Sequence, residues 1–315
     1  MRWAIVDGNF EIRGARIVFK GGEASFTDSQ GRQQTGPAMG LVMNDQRFAG
    51  GEISATIEFS EISEGNACEL LFFFEPERRW WASAGLGGVG RAYFIQHWDN
   101  QGLTVHAQRG NKTNLVQKKR YDVTVYYRGS QVRLAVDGVD VLAATLPFSL
   151  PPSQTGIQCL DTTNITISDF KVLTSPGQAF IVMQFSTPFN EIYEEVIKSV
   201  CSEFGIEPRR GDETYGPGLI IADIVREIRN SEFVIAEITP ANPNVYFEIG
   251  YAYAINKPTI LLADLNLEKL PFDISGFRTL FYENLIVGKR KFEEGLRRHI
   301  TAIFQTPLIA AASRP

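Results

Sequence analysis

From Val245 to Ile255 the chain reads Val-Tyr-Phe-Glu-Ile-Gly-Tyr-Ala-Tyr-Ala-Ile, and Glu248 is the only charged residue in it. A helix apolar around most of its circumference is ordinarily buried, and a carboxylate on it needs a partner or a task. Upstream, Asn242 is a good N-cap and Pro243 a good first helical residue. The carboxylate of a capping box would then fall at Val245, so the cap does not account for Glu248. Two uses stay open for it: a structural one, facing solvent or pairing with Arg226 or Arg229, and a chemical one.

The family resemblance set out below implies cleavage of an N-glycosidic bond, and one carboxylate suits that chemistry. Breaking C1′–N builds positive charge on the ribose, which a neighbouring carboxylate stabilises or traps covalently. Nicotinamide leaves NAD as a neutral molecule from a cationic ring and needs no general acid. A purine or pyrimidine base generally needs protonation or strong hydrogen bonding. The C-terminal half holds a single histidine, His299 in the last helix, with Asp212 and Asp223 as the obvious remaining acids. This tilts the reading toward NAD, with a nucleoside as the alternative substrate.

Around Glu248 we expect substrate contacts from Phe185, Ser186, Asp212, Asp223, Asn242 and Asn244. Phe185-Ser186 follows a strand, where backbone N–H groups and a hydroxyl suit a ribose or phosphate, although an ordinary turn explains them equally. Asn242 and Asn244 have amides suited to ribose hydroxyls, while capping alone explains Asn242. Asp223 sits at the start of a helix, and Arg209, Arg210 and Asp212 either line a mouth or pair on the surface.

The elements that must position these residues change character along the chain. Up to residue 174 the patterning has period two: Ile53, Ala55, Ile57 and Phe59 alternate with polar neighbours, as do Tyr121, Val123, Val125 and Tyr127, and Val132, Leu134 and Val136. Asp137-Gly138 supplies a hairpin turn, and Ile165, Ile167 and Phe170–Val172 a closing strand. Residues 1–174 are therefore expected to form an all-β sandwich.

Ser175-Pro176-Gly177 marks a boundary, and we place a linker at 175–178 and an α/β domain at 179–315. Ala179–Met183 is a continuous apolar run, the mark of a strand buried on both faces. Further strands follow near Ile206 and at Phe233–Ala236, Thr259–Leu262 and Leu280–Tyr282. The helices between and after them carry Ile192–Phe204, Ile220–Ile228, Asn242–Ile255 and Phe292–Phe304, with Ile220 and Ile221 read as part of an apolar face. This alternation predicts a five-stranded parallel sheet flanked by helices, with ligands at the carboxyl ends of its strands.

Composition narrows the class. The chain has 315 residues, 31 Lys and Arg, 36 Asp and Glu, and a net charge of −5 without charged blocks, so nothing marks it for nucleic acid. The three cysteines, Cys68, Cys159 and Cys201, lack metal-ligand spacing and do not make a disulfide framework. With no apolar leader and no membrane-length run, a cytoplasmic protein without metal or cofactor is expected.

The string Asn242-Pro243-Asn244-Val245-Tyr246-Phe247-Glu248-Ile249-Gly250, with Ser231–Thr239 before it and Lys257–Leu262 after it, resembles bacterial TIR-like domains and nucleoside 2-deoxyribosyltransferases. Phe180–Phe185 and Arg209-Arg210-Gly211-Asp212 fit the same superfamily, and the resemblance spans roughly residues 179 to 285. It implies a flavodoxin-like sheet, Glu248 as the catalytic residue, and activation by self-association. It also implies a role in bacterial antiphage defence through NAD depletion. Asp223 falls near a functional aspartate of the transferases, whereas Asn242 stands in a loop region where they carry an aspartate, a departure from the transfer reaction.

The first half, through Tyr121–Leu142, resembles concanavalin-like, laminin-G-type jelly rolls. That implies a sensing or assembly module with a glycan or protein ligand. Trp80, Trp81 and Trp98 are candidates for stacking on sugar, or are simply core and rim aromatics. Asp99 and Asn100 lack the carboxylate cluster that calcium needs. A non-catalytic scaffold that binds glycan or protein is the reading from a different class.

Overall fold

The expected change of period becomes a change of architecture in the computed structural model, which describes residues 1–27, 31–211, 220–266, 279–283 and 286–305. The chain separates into two compact units. One comprises Met1–Tyr127, Gln131–Leu146 and Pro152–Ser175, and the other comprises Pro176–Pro315 with the short segments Arg128–Ser130 and Pro147–Pro151.

The first unit is built from antiparallel strands. They are β1 (Trp3–Asp7), β2 (Phe10–Arg13), β3 (Arg16–Phe19), β4 (Glu23–Thr27), β5 (Gln33–Phe48), β6 (Gly51–Phe59), β7 (Ala67–Glu75) and β8 (Trp80–Gly87). Then come β9 (Tyr93–Asp99), β10 (Gly102–Arg109), β11 (Arg120–Arg128), β12 (Gln131–Val136), β13 (Val139–Thr145), β14 (Ser153–Asp161) and β15 (Ile165–Thr174). One sheet runs β1-β5-β14-β7-β8-β9-β10 with β4 added on β5, and the other runs β13-β12-β11-β6-β15-β3-β2. The chain crosses between sheets at β1–β2, β3–β4, β5–β6–β7, β10–β11 and β13–β14–β15, as a jelly roll does. Alternation does the work: Ile53, Ile57, Phe59, Val123, Val125 and Leu134 are fully buried, while every second neighbour on β11 is less so. Asp137 and Gly138 both take positive φ, 53° and 76°, which fits the two-residue turn between β12 and β13. Cys68 and Cys159 are buried free thiols paired across β7 and β14, with sulfurs 3.8 Å apart.

The second unit carries a parallel sheet. Its strands are β16 (Gly177–Val182), β17 (Ile206–Arg210), β18 (Phe233–Glu237), β19 (Thr259–Asp264) and β20 (Thr279–Tyr282), in the order β17-β16-β18-β19-β20. The helices are α1 (Phe189–Ile192) and α2 (Lys198–Glu203), joined by a π-helical segment at Tyr193–Ile197, then α3 (Ile220–Asn230), α4 (Pro243–Ala254) and α5 (Ile286–Gln305). Two separate apolar clusters sandwich the sheet. Ile181, Phe233 and Ile260 pack with Val196, Val200, Leu296 and Ile300. Phe180, Val234 and Leu261 pack with Ile228, Val245, Ile249 and Ala252. Strands buried on both faces explain the unbroken apolar runs.

Two boundaries and one packing expectation differ from the sequence reading. The first parallel strand starts at Gly177, whose register partner is Ile206, so Gly177 and Gln178 belong to the sheet and not to a linker. Glycine hid that start, because it lacks the apolar side chain that marks a buried strand. Helix α5 begins at Ile286, well before Phe292, because its first turns carry lysine and arginine rather than an apolar stripe. Ile220 and Ile221 are exposed, at 77% and 44%, not packed in a helix core.

Candidate functional site

In the order β17-β16-β18, the chain leaves β16 toward one side of the sheet and returns through β18 on the other. The crevice at the carboxyl ends of β16 and β18 is thus the switch point where such sheets bind ligands. A cavity of about 730 Å³ opens there. Its walls come from four places: Ile181–Ser186 where β16 ends, Gly211 just past β17, Ile220, Ile221 and Ile224 on α3, and Asn242, Asn244, Val245, Phe247 and Glu248 at the start of α4.

Helix α4 is oriented by its own sequence. Asn242 is extended, at φ −133° and ψ 122°, and its Oδ1 accepts a hydrogen bond from Asn244 N at 2.9 Å, with Pro243 in the first turn. Such a cap is worth about 1 kcal/mol and fixes where the first turn begins. Val245, Ile249 and Ala252 then face the sheet. This leaves Asn244 and Glu248, four residues apart, lining the cavity together. The helix is not apolar and buried all round, as its sequence suggested: Phe247 is 52% exposed and Tyr253 50%.

Glu248 is half-buried, and burial pushes its carboxyl up to about 7. Desolvation disfavours the charged form, and no opposing cation or hydrogen-bond donor offsets it among the described residues. The two arginines that could have neutralised it are engaged elsewhere. Arg226 pairs with Asp223 at 2.7 Å, and Arg229 Nε donates to the Tyr251 hydroxyl at 2.7 Å. The structural reading of Glu248 as an arginine's partner is therefore corrected.

Of the other expected residues, Phe185, Ser186, Asn242 and Asn244 line this cavity. Ser186 lies just ahead of helix α1, its carbonyl accepting from Asn190 N at 3.0 Å. Phe185 lies under the Arg210 guanidinium, 5.2 Å from ring centroid to Cζ. Arg210 itself is held by Asn190 Oδ1 at 2.7 Å and lies over Tyr193. Arg209 pairs with Glu207 at 2.9 Å. Asp223 is not in the lining: on α3 its carboxylate pairs with Arg226, one turn further on. Asp212 lies outside the described residues.

Sequence reasoning missed Gln184, Phe247 and the exposed Ile220–Ile221 pair as wall residues. Phe247 adjoins Glu248 in sequence, and that adjacency was the available signal. It also missed Glu237, the last residue of β18. This carboxyl is 2% exposed and pushed up to about 8 by burial; it accepts from Thr239 N at 2.8 Å and lies beside the Tyr282 hydroxyl, and its Oε2 has no hydrogen-bond partner among the described residues. Glu237 does not line the cavity.

Among the described residues no group of three or more His, Cys, Asp or Glu is placed to hold a metal ion, and no helix is long and apolar enough to cross a membrane. No family model matches the sequence, and no curated protein matches it. Solved structures share part of the fold. A carbohydrate-binding module, CBM66 from Bacillus subtilis, is 14% identical, with TM-score 0.43, over 53% of this chain and 92% of its own. The laminarinase catalytic domain from Thermotoga maritima is 11% identical, with TM-score 0.38, over 55% of this chain and 92% of its own. A homodimeric agglutinin from chicken liver is 8% identical, with TM-score 0.32, over 42% of this chain and 98% of its own. Likeness this distant bears on neither ligand nor activity.

Proposed function

We propose that the second unit hydrolyses an N-ribosidic bond, with NAD as the substrate, nicotinamide as the leaving group and Glu248 as the catalytic carboxylate. The observation that carries this reading is a desolvated acid lining a cavity at the switch point of a doubly wound sheet. Perturbed acids in clefts are where such chemistry concentrates. The TIR-like resemblance of the string around Glu248 supports the same residue.

In this reading the ribose lies against Glu248, with the Asn242 and Asn244 amides within reach of its hydroxyls. The nicotinamide ring packs among Phe185, Phe247 and the isoleucines of α3. The C1′–N bond breaks with its electron pair going to the pyridinium nitrogen, so nicotinamide departs neutral. Ionised Glu248 stabilises the cationic ribose, and water adds at C1′ and gives up a proton. The cationic ring of bound substrate favours the ionised form of an acid that burial otherwise holds near neutrality. Exposed Phe185, Ile220, Ile221 and Phe247 surround the opening, and we propose that a second copy covers this rim, so that activity rises with self-association. The defence role implied by the resemblance is part of the same proposal.

Incubating the purified protein with NAD and with a panel of purine and pyrimidine nucleosides tests this. Nicotinamide release supports it. Release of free base alone moves the assignment to a nucleoside hydrolase or transferase. Release of neither, after forced self-association, leaves a binding scaffold.

A further inference from the structure

Two of the three cysteines, 91 residues apart in sequence, meet in the core of the first unit. Cys68 on β7 and Cys159 on β14 are register partners in adjacent antiparallel strands, and their sulfurs lie 3.8 Å apart. Alternation puts both on the same face of the sheet as Leu70 and Ile157, and all four are fully buried. Glu69 and Gln158, their neighbours in sequence, line a cavity on the other face. Cys201, the third thiol, is buried in the second unit beside Val200 and Ile197.

The backbone is already set for a bond between the first two. Residues directly opposite on antiparallel strands have Cα atoms about 4.5–5.5 Å apart. A disulfide spans Cα separations of roughly 4.4–6.8 Å, so no strand has to shift. Closing the bond draws the sulfurs from 3.8 Å to about 2.05 Å and removes two hydrogens. A close-packed core accommodates that contraction more readily than added volume. A metal is the poorer occupant, because no third His, Cys, Asp or Glu joins the pair among the described residues.

We propose that Cys68 and Cys159 form a disulfide as the chain folds, with a small disulfide of the glutathione type as oxidant, and that the bond locks β7 to β14. One cysteine thiolate attacks the small disulfide and expels a small thiol, and the other attacks the resulting mixed disulfide and expels the second. Two protein thiols are oxidised, one small disulfide is reduced, and the two cysteine protons end on the released thiols. Burial sets the timing. Thiolate is the attacking species, and desolvation holds the Cys159 thiol well above its ordinary range in the folded chain. Exchange therefore waits until β7 and β14 part, and a bond once closed in the core is out of reach of reductants. The thiol state thus records the redox conditions under which the chain folded. The lock ties off a 91-residue separation and stabilises largely by restricting the unfolded chain. It is independent of Glu248 and of any activity there.

The test is refolding of reduced, denatured full-length protein in oxidising and in reducing glutathione buffers. Thiols are counted under denaturing conditions, and the non-reduced digest is mapped by mass spectrometry. In the oxidising buffer the three free thiols fall to one, and the Cys68 peptide is joined to the Cys159 peptide. The first unit then melts about 5–15 °C above its reduced form. The reduced chain, placed in the oxidising buffer already folded, cross-links at least about a hundredfold more slowly than the refolding chain. Cys68→Ala and Cys159→Ala each abolish the cross-link and the melting shift, and the wild-type map decides the matter even where a variant does not fold. The proposal is overturned if all three thiols survive oxidative refolding, or if the cross-link involves Cys201. It is equally overturned if the oxidised chain melts no higher than the reduced one, or if the folded chain cross-links as fast as the refolding one.

Discussion

Asn244 and Glu248 stand one turn apart on α4 and line the same cavity at the carboxyl ends of the parallel strands. Ala252, one further turn along, is instead buried against the sheet. The helix thus turns one short polar strip toward the cavity and its apolar strip toward the core, and each expectation below depends on that division.

The rate should depend on pH through Glu248. Its carboxyl titrates near 7 because of burial. If its ionised form stabilises a ribosyl cation, kcat/KM for NAD rises with pH through about 7 and then levels. If Glu248 instead protonates a leaving base, activity on a nucleoside falls through the same range. A pH–rate profile on each substrate separates the two roles.

Glu248→Gln should abolish turnover and raise stability. The folded state lifts this carboxyl from 4.5 to about 7, so the folded chain holds its proton more tightly than the unfolded chain. Its burial is tolerated below the unfolded value, and stability is lost as pH rises through the folded value. At pH 8 glutamine removes that penalty, worth about 1–2 kcal/mol after discounting for the group's partial exposure. A melting temperature higher by about 2–5 °C than wild type follows at pH 8, with little difference at pH 4. Equal melting at both pH values would mean a well-solvated side chain.

Asn242 has a structural duty that can be separated from a chemical one. Asn242→Ala removes the acceptor of the Asn244 N–H and should cost about 1 kcal/mol. Asn242→Ser keeps a cap. If Asn242 also contacts substrate, the serine variant melts like wild type yet shows a raised KM, by about threefold to tenfold.

Asp223 offers the opposite expectation. Its half-buried carboxylate is paired with the exposed Arg226 on α3 and is absent from the cavity wall. Asp223→Asn should leave kcat/KM within about twofold and cost about 1 kcal/mol, the upper end of the scale for a surface pair, since its carboxylate is partly covered. A large loss of activity would return Asp223 to the site.

Much of this was legible because period and position carry it. The switch from alternation to continuous apolar runs marked the two architectures, and Asn242-Pro243 marked the start of α4. Burial that arises from contacts between distant segments was not legible. Phe247 and Ile220 read as core residues, since a sequence does not say that their faces have no neighbour. Glu237 closes an apolar strand, and only the assembled sheet shows how fully it is enclosed. Asp223 and Arg226, at helical spacing i and i+3, could have been read as an ion pair from the start.

The most direct measurement is nicotinamide release from NAD, followed by chromatography at pH 8 on concentrated, crowded protein, for wild type, Glu248→Ala and Glu248→Gln side by side. Release by wild type, reduced at least about a hundredfold in both variants while they remain folded, is the expected result. Release that survives both substitutions, or a wild type that is inert after enforced self-association, contradicts it.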